Sequence, residues 1–430
     1  MTLALIGFVI LFLMAFSGVP LGFAMLLAGV GGFAYIRGVD GSLAMLGQIL
    51  FDSSANYGMS VLPMFVLMGI FVHKAEISEE LYDAANAWLG HFKGGLAHAT
   101  VASCALFAAI SGSSIATAAT MSRVAIPPMR RLGYHDRLST GSVASAGVLG
   151  VLIPPSVPLV IFGLLTETDI RKLFIATIIP GLMLTLFFIV AVWLTVTLNP
   201  TLGPRGPQYT HKQKFMALKG VWSVIALFIF VMGGLYGGIF TATESAGIGA
   251  MGAFAFAIAR RKMSRRVLLS CLIETGKTTA MIFTIIFGAL VFANFITLTG
   301  MTVQLVEWIQ QQGFNVYGVL ICMVIIYLVL GCLMEAMGLM LLTVPIFTTV
   351  AVGMGVNPIW FGIFVTVMIE VGMLTPPVGM NVFTVKTLTP DVSLTTIFRG
   401  VMPFLVANMA LVACLIVWPD IALVALKWFA

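Results

Sequence analysis

Two pairs of consecutive prolines, Pro154-Pro155 and Pro376-Pro377, interrupt apolar stretches that read GVLIPPSVPLVIFG over 150–163 and GMLTPPVGMNVFTV over 372–385. A proline within a helix removes a backbone donor and clashes with the preceding turn, so a pair leaves several carbonyls without helical partners. Ahead of each pair stands a short group of small or oxygen-bearing residues, Ser111-Gly112-Ser113-Ser114 and Glu335-Ala336-Met337-Gly338. Hydroxyls and glycines at such spacing let side-chain and carbonyl oxygens converge on a cation, while free amides beside them can meet an anion. The plainer readings are kinks without a ligand and close helix packing through small side chains.

The other reactive side chains form no constellation. Cys104, Cys271, Cys322, Cys332 and Cys414 lie far apart with no CxxC and no histidine at metal-ligand spacing, which argues against disulfide, zinc or thiol chemistry. His73, His91, His98, His135 and His211 are scattered and carry no assigned role. An intramembrane hydrolase using Ser111–Ser114 as nucleophile with His98 or Glu335 would need a positioned base, and the serines fit an oxygen-rich tip better. Nucleotide-binding motifs are absent, so no cofactor is expected and ATP is not the direct energy source.

The elements holding these residues follow from composition. The chain has 430 residues, 60% hydrophobic and 9% charged, the balance of a polytopic membrane protein in the lipid bilayer. A spanning helix needs about 20 apolar residues, and runs of that size recur throughout. Leu3–Phe16 has no basic residue ahead of it and no small-residue cleavage pattern, so it reads as a retained first span. The net charge of +6 is not gathered into a nucleic-acid-binding patch; it sorts by loop. With Arg130/Arg131/Arg137, Arg205/Lys212/Lys214/Lys219 and Arg260/Arg261/Lys262/Arg265/Arg266 placed in the cytoplasm, pairs of spans at 139–165 and 174–198, then 221–240 and 243–259, fit between them. Of the 22 Lys and Arg only Arg37, Arg171, Lys172 and Lys427 then fall outside, with Arg123 inside a hairpin, as the positive-inside rule asks. Both termini are predicted to be periplasmic.

The fold class expected is an all-α inverted repeat with two re-entrant hairpins and two broken helices. Pro154-Pro155 falls on Pro376-Pro377 when the halves are overlaid, AGVG at 28–31 resembles AGIG at 246–249, and the topology runs the two segments in opposite directions, an organisation found in secondary transporters. The first repeat covers 1–199, with an inner hairpin over about 96–129 and a broken helix over about 139–165. A cytoplasmic linker covers 200–219. The second repeat covers 220–430, with an outer hairpin over about 317–350 and a broken helix over about 358–385. Amphipathic stretches at Ile77–Leu89 and Thr302–Gln312 precede the hairpins; each reads as an interfacial helix, either an arm or an anchor. Glu244, Glu335 and Glu370 are costly at membrane depth unless paired or hydrated. Structural pairing, with groups such as Arg123 or Lys386, is expected for Glu244 and Glu370, and is one of several roles open to Glu335.

SGSSIATAATMSRVAIPPMRRLGY at 111–134, GVLIPPSVPLVIFG, FTATESAGIGA at 240–250 and TPPVGMNVF at 375–383 resemble the large permease subunit of TRAP transporters along essentially the whole chain. The resemblance implies a scaffold and a transport domain of the ion-transporter elevator type. It also implies sodium-coupled uptake of a small organic anion across the inner membrane, a small four-helix membrane subunit (DctQ-like) and a periplasmic substrate-binding protein (DctP-like). Carried over by residue, one sodium site would involve Ser111, Gly112, Ser113 and Ser114 with Gly150, Pro154 and Pro155. A second would involve Gly338 with Gly372, Thr375, Pro376 and Gly379. Substrate would touch Ser113, Ser156, Thr375 and Asn381. This chain departs from the family pattern at Val148, where a hydroxyl is common, at Ala242, and at Glu335, where an Asp is common. A stand-alone sodium/dicarboxylate carrier of the same broad fold is the alternative.

Overall fold

The computed structural model describes residues 2–75 and 77–429. Among them every regular element is helical, and an isolated antiparallel bridge pairs Lys93 with Arg205. Nine helices among the described residues are long and apolar enough to cross a membrane, so the chain is an all-α polytopic membrane protein.

The apolar run at the start forms α1 (Thr2–Phe16), which at about 1.5 Å per residue is shorter than a hydrocarbon core. It packs along α2 (Leu21–Ala55), a 35-residue helix whose regular geometry breaks at Gly38, φ +82°, a conformation open to glycine. A short turn leads to α3 (Val61–Lys74) and the amphipathic α4 (Ile77–Leu89), whose bounds coincide with the predicted stretch. Next come α5 (Gly95–Ser111) and α6 (Ser114–Arg131), joined through Gly112 and Ser113. The first Pro-Pro segment is helical over α7 (Asp136–Ala146) and α8 (Leu149–Leu152), irregular at 153–156, and helical again in α9 (Val157–Thr166). The half ends with α10 (Ile170–Ala176) and α11 (Ile178–Leu198).

Thr210 and Gln213 form a capping box, so α12 (His211–Tyr236) begins within the expected linker. The irregular part of 200–219 therefore ends at Thr210. Then follow α13 (Ala242–Ala259), the 34-residue α14 (Arg265–Leu298) and a second amphipathic helix, α15 (Met301–Gln311). After these come α16 (Val316–Gly331), α17 (Ala336–Gly353), α18 (Pro358–Gly372) and, beyond the irregular segment 373–379, α19 (Met380–Leu388). After α20 (Leu394–Val417) and the short α21 (Asp420–Leu423), the described chain closes with a 3-10 helix over Val424–Trp428.

Two packed groups result. In one, α2 lies along α14 while α3 packs on α13 and α14; Gly22, Gly29 and Gly288 let the α2 and α14 backbones touch, as small residues do between membrane helices. In the other, α7 packs on α20, α5 and α6, and α18 on α16 and α17. The loops sort with them. Gly94 N–H donates to Gly203 O, Gly206 N–H to Gly90 O and His135 N–H to Leu202 O, gathering the segments around 90–95, 134–135 and 202–206. Arg260 pairs with Glu80 at 2.7 Å. Elsewhere, Asn56–Tyr57, Glu167–Arg171 and Gly238–Glu244 surround one open cavity of about 720 Å³.

Candidate functional site

The turn between α5 and α6 is set by its residue types. Gly112 takes a left-handed conformation, φ +63°, and Ser113 is extended, its hydroxyl accepting from Ala116 N–H to cap α6. This geometry turns oxygens toward one another. Ser111 Oγ donates to Ser113 O at 3.2 Å, Thr117 Oγ1 lies 2.8 Å from Ser113 O and 3.0 Å from Ser111 Oγ. The first break closes on this group from the other side. A side-chain carbon at Gly150 would stand 2.5 Å from Thr117 Oγ1 and 2.7 Å from Ser113 O, and one at Gly112 would come within 3.2 Å of Pro155 O. Ser111, Gly112, Ser113, Gly150 and Pro155 are thus brought together, with Thr117 as a member absent from the sequence reading. Its signal was a hydroxyl four residues after Ser113, on the same helix face.

Hard cations take carbonyl and hydroxyl oxygens as ligands, and this group consists of such atoms. Among the described residues no set of three His, Cys, Asp or Glu is placed to hold a metal ion. Pro154, Pro155 and Ser156 are buried, and Ser156 Oγ is engaged in capping α9 through Leu159 N–H. Val148 is buried in the turn before α8.

The second set is arranged differently from the expectation. The turn between α16 and α17 is 332–335, and Ala336, Met337 and Gly338 form the first turn of α17 because the Glu335 carboxylate caps Gly338 N–H. Gly338 packs against Leu21 of α2, whereas Gly331 meets Gly372: a side-chain carbon on Gly372 would lie 2.6 Å from Gly331 Cα. The close approach just before the second break is thus between the ends of α16 and α18, at Gly331 and Gly372. Thr375 Oγ1 bonds Val371 O at 2.7 Å, Gly379 is left-handed at φ +64°, and Asn381 N–H donates to Met373 O, drawing 373–381 into a loop. Pro376 and Pro377 are exposed in the chain, unlike Pro154 and Pro155. Both Pro-Pro bonds are cis. Asn381 is fully buried, yet neither amide atom has a partner among the described residues; buried polar groups ordinarily find one.

The buried acids depart from the expected pairing. Glu244 accepts from Thr241 N–H and Thr241 Oγ1 in a capping box and is exposed. Lys386 Nζ donates to Pro390 O and Val392 O, and Glu370 takes its hydrogen bond from Ser114 Oγ at 3.2 Å. The reason is local: a helix N-terminus satisfies Glu244, and backbone carbonyls of the loop after α19 satisfy Lys386. Beyond the hairpin, Arg130 bonds Asp136 and Asp391, both at 2.7 Å. The hydrogen bond from Arg130 holds the Asp391 carboxyl below the usual range. The 720 Å³ cavity is lined by none of the predicted site residues, and its Arg171 is bonded to Tyr236 O.

With this geometry in view, the comparisons are specific. Residues 8–421 match the family model of the tripartite ATP-independent periplasmic transporter, DctM component. The C4-dicarboxylate TRAP transporter large permease protein DctM of Pseudomonas aeruginosa is 35% identical over 389 residues, covering 90% of each chain. The sialic acid TRAP transporter large permease protein SiaM of Vibrio cholerae is 29% identical over 419 residues, covering 96% of each. The solved Alcanivorax borkumensis YdaH transporter matches the fold with a TM-score of 0.62 at 16% identity, covering 89% of each chain. The chain belongs to the DctM family, the large permease component of TRAP transporters, and is a multi-pass inner-membrane transport protein rather than an enzyme.

Proposed function

We propose that this permease carries a small organic anion into the cell together with sodium, receiving the anion from a DctP-like periplasmic binding protein and working with a DctQ-like four-helix membrane subunit. The oxygen group of Ser111, Ser113, Thr117 and Pro155 around Gly112 and Gly150 carries this reading. It is the kind of site in which irregular backbone is tolerated at membrane depth. Thr375, Pro376 and Gly379, with Gly331 beside Gly372, form the proposed second sodium site. Ser113, Ser156, Thr375 and the unpartnered amide of Asn381 are the proposed substrate contacts. The relatives named for C4-dicarboxylate and sialic acid share a carboxylate, which hydroxyl, amide and backbone donors suit.

The two packed groups support an elevator mechanism. The α2, α3, α12, α13 and α14 group serves as the fixed scaffold, and the hairpins α5–α6 and α16–α17 with their broken helices move across it as an elevator. Support for an inverted repeat comes from the order of pieces: helix, turn, helix, interrupted helix occurs once over 95–166 and again over 316–388. Both hairpins are read as re-entrant and both termini as periplasmic. No residue here transforms the cargo; the tips bind and orient it and exclude water while the site changes sides.

Counterflow into proteoliposomes containing the permease, the small subunit and the binding protein tests the reading. Exchange is expected to require sodium and the loaded binding protein; full exchange in potassium alone and without the binding protein overturns it.

A further inference from the structure

Glu370 stands where a carboxyl has little reason to be. It is fully buried on α18, within an uninterrupted buried run from Trp360 to Gly372, and Oε2 has no hydrogen-bond partner among the described residues. A buried acid with incomplete partners costs stability. The residue next to it in space explains its placement. Ser114 Oγ, 3.2 Å from Glu370 Oε1, belongs to the first residue of α6, directly after the Ser111–Ser113 turn. The same hydroxyl lies 3.9 Å from Met373 Sδ, in the second break itself. Glu370 is two residues before Gly372, which Gly331 touches. One side-chain bond thus runs from the oxygen group of the first half to the helix that ends in the second break.

We propose that Glu370 is a positioning residue that couples the two candidate ion sites, holding the Ser114 end of the first hairpin against the end of α18. This rests on the sodium-coupled reading above. A cation that orders Ser111, Ser113 and Thr117 also fixes Ser114, because Ser113 and Ser114 are adjacent and Thr117 bonds Ser113 O. Through the Ser114–Glu370 bond that order reaches the last turn of α18 and the loop after it. Coupling of this kind is reciprocal, so an ion at the second break tightens the first site by the same factor. The bond needs an acceptor at position 370 and not a charge, which separates coupling from direct ion ligation by the carboxylate.

The test is a sodium titration of the thermal stability of the purified full chain, choline replacing sodium, for the unmutated protein, Glu370→Gln and Glu370→Met. A Hill coefficient approaching about 2 is expected for the unmutated chain, retained in Glu370→Gln and falling toward about 1 in Glu370→Met. If Glu370→Met does not fold, Glu370→Ala removes the same acceptor and carries the same expectation. An unchanged coefficient in the bond-breaking variants, a coefficient of 1 in the unmutated chain, or loss of cooperativity in Glu370→Gln as well overturns the coupling while leaving sodium binding intact. A complete lack of sodium response in the unmutated chain overturns the sodium reading and the coupling together.

Discussion

Replacing Thr117 with Val keeps the shape of the side chain and removes the hydroxyl within 2.8 Å of Ser113 O and 3.0 Å of Ser111 Oγ. The half-saturating sodium concentration for uptake should rise roughly tenfold, the effect of about 1–1.5 kcal/mol. Gly150→Ala places a carbon 2.5 Å from Thr117 Oγ1 and 2.7 Å from Ser113 O, and uptake by protein still present in the membrane should fall at least as far. Glu244→Ala is the contrasting case: it removes a capping box, so the melting temperature should fall while the sodium dependence of uptake stays as in the unmutated chain. At this scale the hydroxyl tip was legible in the sequence and its fourth oxygen was not. A threonine inside a helix ordinarily bonds its own preceding turn, and only the fold shows that this turn faces Gly150 and lies beside Ser111. Glu370 was misread for a related reason, since its partner Ser114 is remote in sequence.

Arg130 joins elements rather than atoms of the site. It closes the far end of α6 onto Asp136, which begins α7, and onto Asp391, in the loop after α19, so α6 with Ser114 and α19 with Asn381 share one fastening with α7. Asp391→Asn should lower the maximal uptake rate more than the anion affinity, with Asp391→Glu restoring part of it. The folded carboxyl titrates below its unfolded value. Its contribution is therefore complete above about pH 4 and is lost as pH falls through the lower folded value; melting temperature measured from pH 6 to pH 3 should show a step in the unmutated chain that Asp391→Asn lacks. Elsewhere, α4 is pinned by Glu80 to Arg260 and by Trp88 Nε1 to Lys214 O. Its bounds were readable because charge and apolar side chains alternate at helical spacing; what it packs against was not, because α5 and α12 approach it from different parts of the chain. The outer turn shows the same limit. Small residues after Glu335 suited a tip, yet the carboxylate caps the helix and the close approach just before the second break falls to Gly331 and Gly372.

For the whole molecule, charge alone predicts a sidedness for the loops, and loops assigned to the same side lie together: Lys93 pairs with Arg205, and Arg130 with Asp391. In a cysteine-free background, Glu167→Cys should react with a membrane-impermeant thiol reagent added to intact spheroplasts, and Lys212→Cys only after permeabilisation; the reverse pattern would invert the orientation. Membrane class follows from composition, but the split into two packed groups depends on side chains meeting across the chain. The coupling of anion to sodium is the central claim, and radioactive sodium entry into proteoliposomes measures it most directly. With the small subunit and loaded binding protein present, adding the transported anion should stimulate sodium entry well above the anion-free rate, and the stimulation should shrink in Thr117→Val at limiting sodium. Anion uptake that proceeds with no accompanying sodium entry would contradict the account.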